Sequence, residues 1–454
     1  MSAEFDCIIV GAGYAGLSAA KTLSENGKSI LLLEARDRVG GRVWTKHLED
    51  GTYEDYGGMF LGVQQPNMHK LAEEFSIATY NVNIKGKSVF RNRGQCKTYS
   101  SSLLPPLPIL GLVDAGKVVK TFERMSARVD LEEPWKTEKA MELDHQTVAE
   151  WVRSKMWTKS GRDLTRMAFE LIWGCDTSQV SMLHALWYCK SGVSLTVLGT
   201  IDQGAQMELM VGGGQAIANC IHKKLGDAVH LEEPVISVDD DEKDSHAVVK
   251  TRKGQYRGRQ VVFATPQPHI LQVAFTPALP QQKVKLIESM LMGKYWKVVA
   301  TYASPFWRDL GLRGEVISPD GYLGMIADAT PLNSNCGMVI AFVTGSKAIK
   351  FLDMSNDKRE EIVRAELEDS FGKQGRHPTK LSIHTMMHEP WSGGCPTAVP
   401  IPGTWTSLGS WMRKPVGRVH WAGTETATKW SGYMEGAVNS GLRAGEEVLA
   451  KLDG

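Results

Sequence analysis

Near the N-terminus, Gly11-Ala-Gly13-Tyr-Ala15-Gly16 follows a short apolar run, Phe5 to Val10. It precedes Leu17, Ala20 and Leu23 at helical spacing. A glycine turn between a strand and a helix offers one kind of chemistry, the binding of a pyrophosphate. Gly11 permits the tight turn, Gly13 lets bare backbone approach phosphate oxygens, and Gly16 lets the helix pack closely on the strand. The helix N-terminus adds unpaired N–H groups aimed at the same place. Glu34 closes the next apolar run, eighteen residues after Gly16. Its carboxylate is placed to accept both hydroxyls of an adenosine ribose and to repel a 2′-phosphate, which disfavours NADP. NAD and FAD both remain open at this point.

The residues that follow favour the larger cofactor. Glu34-Ala35-Arg36-Asp37-Arg38-Val39-Gly40-Gly41-Arg42 sets a glycine pair among arginines just past the ribose position. Asp55-Tyr56-Gly57-Gly58 supplies a second pair. Two further close approaches of backbone suit an extended molecule threading into the protein. Arg42 is expected to pair with phosphate oxygens, while Arg36 and Arg38 fit either that role or surface ion pairs. Lys297 is unusual because it lies inside the strand-like run Lys294 to Tyr302, and lysine is rarely buried without a partner. The alternative is an edge-strand lysine snorkelling to solvent. Gly432 precedes a closing helix whose positive end would stabilise negative charge placed before it.

The elements that must position these residues follow from periodicity. The N-terminal segment reads as a βαβ unit: strand Phe5 to Val10, a helix ended by Asn26-Gly27, and strand Ser29 to Leu33. From about Tyr80 to Ile201 the texture predicts a largely helical insertion. It holds a proline-rich loop over Leu103 to Leu110 and helices near Val118 to Val129 and Thr147 to Lys155. Strands return at Val235 to Val238, Ala247 to Thr251 and Gln260 to Ala264. Asp357 to Phe371 reads as a charged helix. The last helix carries Val438, Leu442, Leu449 and Leu452 on one face.

Bulk properties exclude several classes. The chain has 454 residues, 42% apolar and 23% charged, enough for two domains with a sizeable core. Its net charge of +1 gives no broad attraction for nucleic acid or anionic membrane. Seven scattered cysteines without CxxC spacing argue against a disulfide framework or a zinc site and fit a reducing compartment. No metal is expected. The N-terminal apolar run flows straight into the glycine motif, which reads as a strand rather than a signal peptide. No run of eighteen apolar residues predicts a membrane span. The expected location is cytoplasmic, and nothing in the sequence speaks against a homodimer.

Taken together, GAGYAGLSAA, LLLEARDRVGGR, DYGGMF, PFWR, WSGGC and HWAGTETATKWSGYMEGAV resemble the flavin monoamine oxidases, in order and over nearly the whole chain. The resemblance implies an α/β fold, α+β overall. A Rossmann-like FAD-binding domain (1–78, 209–287 and 390–454) would be interleaved with a substrate domain of sheet plus helices (79–208 and 288–389). It implies FAD as cofactor, with Val235 beside the adenine, and Gly423, Thr424, Glu425, Gly432, Tyr433 and Met434 at the flavin end. Lys297 falls on the lysine that holds a water near flavin N5. Cys395 falls on the cysteine that carries FAD through a thioether in monoamine oxidases, although relatives with non-covalent flavin exist. Leu171, Ile172 and Gln206 would line the substrate pocket, with Tyr322 as a further candidate.

The implied reaction is oxidative deamination of a small aliphatic, alicyclic or arylalkyl amine. Hydride passes to flavin N5, and O2 reoxidises the flavin to give hydrogen peroxide. The imine hydrolyses to an aldehyde or ketone plus ammonia. Lys297 and Tyr433 are the expected catalytic residues. No strong base is needed, and His184, His384, His388 and His420 read as packed or surface side chains. One departure concerns the pair of tyrosines that often flanks the substrate nitrogen. Tyr433 matches one, but Pro396 stands where the other belongs, leaving Trp391 or another ring to complete the cage. No row of carboxylates marks a polyamine channel. Arg91 and Arg93 are weak candidates for an amino acid's carboxylate. A flavin desaturase or dehydrogenase using another acceptor, and a non-enzymatic FAD-binding protein, are the competing readings.

Overall fold

Cys7 and Ile9 enter one buried apolar cluster while Ile8 and Val10 enter another. The first strand, Glu4–Val10, is therefore covered on both faces, which is the environment of a central parallel strand. In the computed structural model, which describes residues 4–49, 51–100, 105–241 and 243–454, it pairs in parallel with Gln255–Phe263 on one side and Ile30–Leu33 on the other. These strands belong to an eight-stranded sheet completed by Val229–His230, Val235–Asp239, Ala247–Thr251, Ala274–Thr276 and Val419–Trp421. Helix Tyr14–Glu25 makes the first crossover and lies against the last helix, Met434–Asp453. A Cβ at Gly441 would sit 2.1 Å from the Ala15 carbonyl oxygen, so this approach of two helices requires glycine.

A second, seven-stranded sheet runs in the order Lys380–His384, Tyr295–Tyr302, Gly337–Thr344, Met325–Asp328, Leu312–Ile317, Lys87–Asn92, Gln95–Tyr99. Tyr295–Tyr302 is paired on both sides, so Lys297 stands on an interior strand and not on an edge. Helices of segment 109–199 cover this region with an aromatic-rich core containing Phe122, Trp151, Phe169, Trp173 and Trp187. Helix Met182–Ser191 is almost wholly buried, as its nearly unbroken apolar sequence requires.

The predicted strands and helices recur with shifted ends. Strand Gln255–Phe263 starts five residues before the expected Gln260. The helix expected over Val118 to Val129 runs from Ile109 to Ser126. The loop expected over Leu103 to Leu110 gives way to helix at Ile109, and its residues 103 and 104 lie outside the described residues. Thr147 caps helix Val148–Lys155 by a reciprocal exchange with Glu150. The insertion is less helical than predicted. Lys87–Asn92 and Gln95–Tyr99 form a hairpin turning at Arg93-Gly94, both at positive φ, and extend the second sheet. The polar second strand, four of whose five residues are exposed, hid this hairpin from an apolar-periodicity reading. Among the described residues, no helix is long and apolar enough to cross a membrane.

Candidate active site

One cavity of about 910 Å³ is lined by residues of both sheets and of the helices beside them. At one end are Gly11, Gly13, Ala15, Glu34, Ala35, Arg36, Gly41 and Val235. Glu34 ends its strand with both oxygens already directed: Oε2 accepts the Ala12 N–H at 2.7 Å and Oε1 the Arg36 N–H at 2.9 Å. Each oxygen keeps a lone pair for a further donor. Arg36 is held by Ser392 at 2.7 Å and still reaches the cavity. Arg38 is neither a surface arginine nor a phosphate ligand. Its guanidinium clips the carbonyls of Val39, Gly41 and Val43 and lies 4.8 Å from the Trp44 ring centre.

Two helix N-termini open onto this cavity. Gly13 caps helix Tyr14–Glu25 and Tyr433 caps helix Met434–Asp453, neither with a side-chain hydrogen bond to the first turn. Gly13, Tyr14 and Ala15 line the cavity, as do Gly432, Tyr433 and Met434. A Cβ on Gly13 would meet nothing nearer than 3.9 Å and would fill cavity space. A cavity lined by a carboxylate with free lone pairs, a glycine turn and two positive helix ends fits an extended dinucleotide whose far ring takes negative charge. Flavin adenine dinucleotide has that shape and chemistry.

Arg42 has an internal partner that its local sequence does not reveal. Its guanidinium binds the carboxylate of Glu425, at 2.5 Å (Nη1–Oε1) and 3.0 Å (Nη2–Oε2), and donates to the Pro396 carbonyl at 3.0 Å. It also lines the cavity, so this internal carboxylate adds to the phosphate partner expected for it. Glu425 itself does not line the cavity; it lies beneath it, also accepting the Ala398 N–H at 3.0 Å. Gly16 also stands back from the cavity. A Cβ there would lie 1.9 Å from the Gly11 carbonyl oxygen, so its role is packing. Gly57, Gly58, Gly423 and Thr424 do line it. Cys395 lines it too, and burial pushes its thiol up to about 12, against the nearby charges of Arg42 and Lys297. Such a thiol stays protonated at neutral pH.

Lys297 is only 6% exposed. Its Nζ donates to the Gly57 carbonyl at 2.8 Å and lies 2.9 Å from the Met59 sulfur. Burial lowers it to about 8, partly offset by the charge of Asp55. Tyr433 and Cys395 line the same cavity, as do Leu171, Ile172, Gln206, Trp391 and Pro396. Among the described residues, the rings touching Tyr433 are Tyr188, at 6.3 Å between centres, and Trp430, at 5.1 Å. Tyr188 lines the cavity and was missed in the sequence, because it sits in an apolar helix without any local motif. A Cβ at Gly432 would fall 2.1 Å from its hydroxyl oxygen. Tyr188 thus supplies a second tyrosine beside Tyr433, from another element than the one holding Pro396.

Other expectations resolve as follows. Tyr322 is outside the cavity. Its N–H is held by Glu366 and its ring faces Phe351 in a different core, because the segment before Met325–Asp328 turns away from the sheet face that Met325 presents. Arg91 is engaged by Glu366 and Asp369, and neither it nor Arg93 lines the cavity. His184 accepts from Trp405 and His420 bonds Glu447, while His388 edges onto Trp296. His384 does reach the cavity, stacked on Tyr56, and burial lowers it to about 4, so it is neutral.

Comparison with known proteins agrees with this geometry. The family described as flavin containing amine oxidoreductase matches residues 14–449. The flavin-containing amine oxidase of Oncorhynchus mykiss is 34% identical, across 99% of this chain and 86% of its own length. Cyclohexylamine oxidase from Brevibacterium oxydans superposes with a TM-score of 0.95 at 30% identity, over 99% of this chain and all of that one. Putrescine oxidase bound to putrescine gives 0.95 at 27% identity, over 98% and 99%. The chain therefore belongs to the flavin-containing amine oxidoreductases, and its cofactor is FAD.

Proposed function

We propose that the protein oxidises a small aliphatic, alicyclic or arylalkyl amine, passing electrons to O2 and releasing hydrogen peroxide and an imine that hydrolyses to an aldehyde or ketone. The FAD, when bound, supplies hydride acceptance and reaction with O2. The protein's contribution is position and polarity. Gly11, Gly13, Ala15, Glu34, Ala35, Arg36, Gly41 and Val235 would hold the adenosine and pyrophosphate. Arg42, Gly57, Gly58, Cys395, Gly423, Thr424, Gly432, Tyr433 and Met434 would hold the flavin end. Glu425 acts from beneath by fixing Arg42. The two large sheets support reading 1–78, 209–287 and 390–454 as the cofactor domain and 79–208 and 288–389 as the substrate domain, since each draws its strands from one set alone, while short ladders such as Met290–Met292 with Ala398–Pro400 join the two sets.

The observation that carries the reading is that Lys297, Tyr433 and Cys395 line one cavity with both open helix ends. Apolar walls of Leu171, Ile172 and Phe342 disfavour a buried ammonium and so favour the neutral amine needed for hydride loss. Tyr188 and Tyr433 orient the nitrogen, and Lys297 holds a water and its proton near the flavin edge. Arg91 is engaged by Glu366 and Asp369, Arg93 does not line the cavity, and the Arg313 that does is paired with Glu315, which weakens the amino-acid alternative. A panel of primary amines, amino acids and polyamines assayed for peroxide tests the proposal. Release with small apolar amines supports it, and release confined to amino acids or polyamines, or absent throughout, refutes it.

A further inference from the structure

We propose that the substrate cavity ends in a second recognition site, built on Arg313 and Glu315, for a hydroxyl at the end of the amine remote from the reacting carbon. The inference rests on the amine-oxidase reading above. One wall of the cavity is a row across the second sheet. Lys297 faces Phe342, Phe342 faces Met325, and Met325 faces Ile317, and all four line the cavity. Neighbouring strands are about 4.8 Å apart, so three steps carry this wall ~14 Å away from Lys297. Glu315 lies two residues before Ile317 and so shares its face. It lines the cavity together with Arg313.

This pair stands at the end of an otherwise apolar wall. Arg313 is 5% exposed, and its Nη2 donates to Glu315 Oε2, which also accepts the Ser88 hydroxyl at 2.6 Å. Among the described residues, Glu315 Oε1 accepts no hydrogen bond, and the buried Nε of Arg313 donates none. Burying an ion pair costs desolvation that its own attraction rarely repays, and unmet polar atoms add to the cost. Such an arrangement is understandable where a ligand completes it. The buried pair is neutral as a whole, and Asp202, which lines the same cavity and acts on Arg313, is exposed and screened by water, so net charge selects neither a second ammonium nor a carboxylate strongly. It presents an acceptor and a donor side by side, and a hydroxyl, which donates and accepts at once, matches both.

The test uses the holoenzyme and four series matched in chain length: straight-chain primary amines, ω-amino alcohols, α,ω-diamines and ω-amino carboxylates. Peroxide release gives kcat/KM for each. At one chain length the amino alcohol is expected to exceed the plain amine by about tenfold or more, the effect of a hydrogen bond to a charged partner. It should also exceed the diamine and the carboxylate of that length. In Glu315→Gln and Arg313→Met, the ratio of alcohol to plain amine should fall to below about threefold. The wild-type series decides the matter even if a variant fails to fold. Turnover of plain amines with no advantage for the alcohol at any length would overturn this site and leave the amine-oxidase reading standing. A diamine or carboxylate that outperforms the alcohol would overturn it equally. Failure of every amine to reduce the flavin would overturn both.

Discussion

Arg42 and Glu425 are 383 positions apart in the chain and meet as a two-pronged ion pair under the cavity, at 2.5 and 3.0 Å. The pair ties the segment after the first two strands to the segment before the last helix, so it fixes the cofactor cavity from below. The Glu425 side chain is 1% exposed.

Glu425→Gln would leave the Arg42 guanidinium largely buried and without its counter-charge. A loss of roughly 3–5 kcal/mol is expected, read by urea unfolding at neutral pH. The loss should depend on pH. Burial pushes the Glu425 carboxyl up, but the charge and hydrogen bonds of Arg42 and the Ala398 N–H outweigh it and hold it below its ordinary value. The stabilisation is present above the ordinary glutamate pKa of about 4.3 and is lost as pH falls through the lower, folded value. Wild type and variant should therefore converge in stability below about pH 4. A gap that stays constant with pH would contradict this.

Lys297 is lowered to about 8, chiefly by burial, and so loses its proton well below the ordinary lysine value. Between that value and about 10.4 the unfolded chain binds a proton that the folded chain does not, so stability rises with pH across this window. Lys297→Met should abolish that rise. If Lys297 holds the water and proton that serve the flavin edge, the same variant should slow flavin reoxidation by roughly 100-fold in stopped-flow mixing with O2. An unchanged rate would remove the role.

Cys395 lines the cavity beside Pro396 and Arg42. If it carries the flavin through a thioether, acid precipitation should leave the yellow colour in the pellet, and Cys395→Ala should release it to the supernatant. Colour free in the supernatant of the wild type would end the linkage.

Gly13 has an ordinary φ of −71° and open space where a side chain would go. Gly13→Val should fold normally but bind FAD roughly 5- to 150-fold weaker, from an overpacking cost of about 1–3 kcal/mol. Titration of apoprotein with FAD measures it. Unaltered affinity would place the pyrophosphate elsewhere.

The cofactor end was the more legible part in the sequence, because its geometry is local. Gly11, Gly13 and Glu34 act through one strand–turn–helix–strand unit, whose period and punctuation are visible in thirty residues. Lys297 was noticeable as a lysine in an apolar strand, although only the sheet order shows that the strand is interior. The substrate end was harder to read. Tyr188, Phe342 and the Arg313–Glu315 pair come from three different elements and converge only through sheet register and helix packing. The Glu425 partner of Arg42 is invisible in the sequence because it lies so far along the chain. Tyr322 was misplaced because a turn before a short strand reverses which core a ring enters.

The most direct test of the whole account is to mix the yellow holoenzyme with one equivalent of a small apolar primary amine per flavin in the absence of O2. The account predicts that the oxidised-flavin absorption bleaches in one turnover and returns on admitting O2, with one peroxide released per flavin. A folded protein whose flavin stays oxidised with every amine offered, or that takes up no flavin, would contradict it.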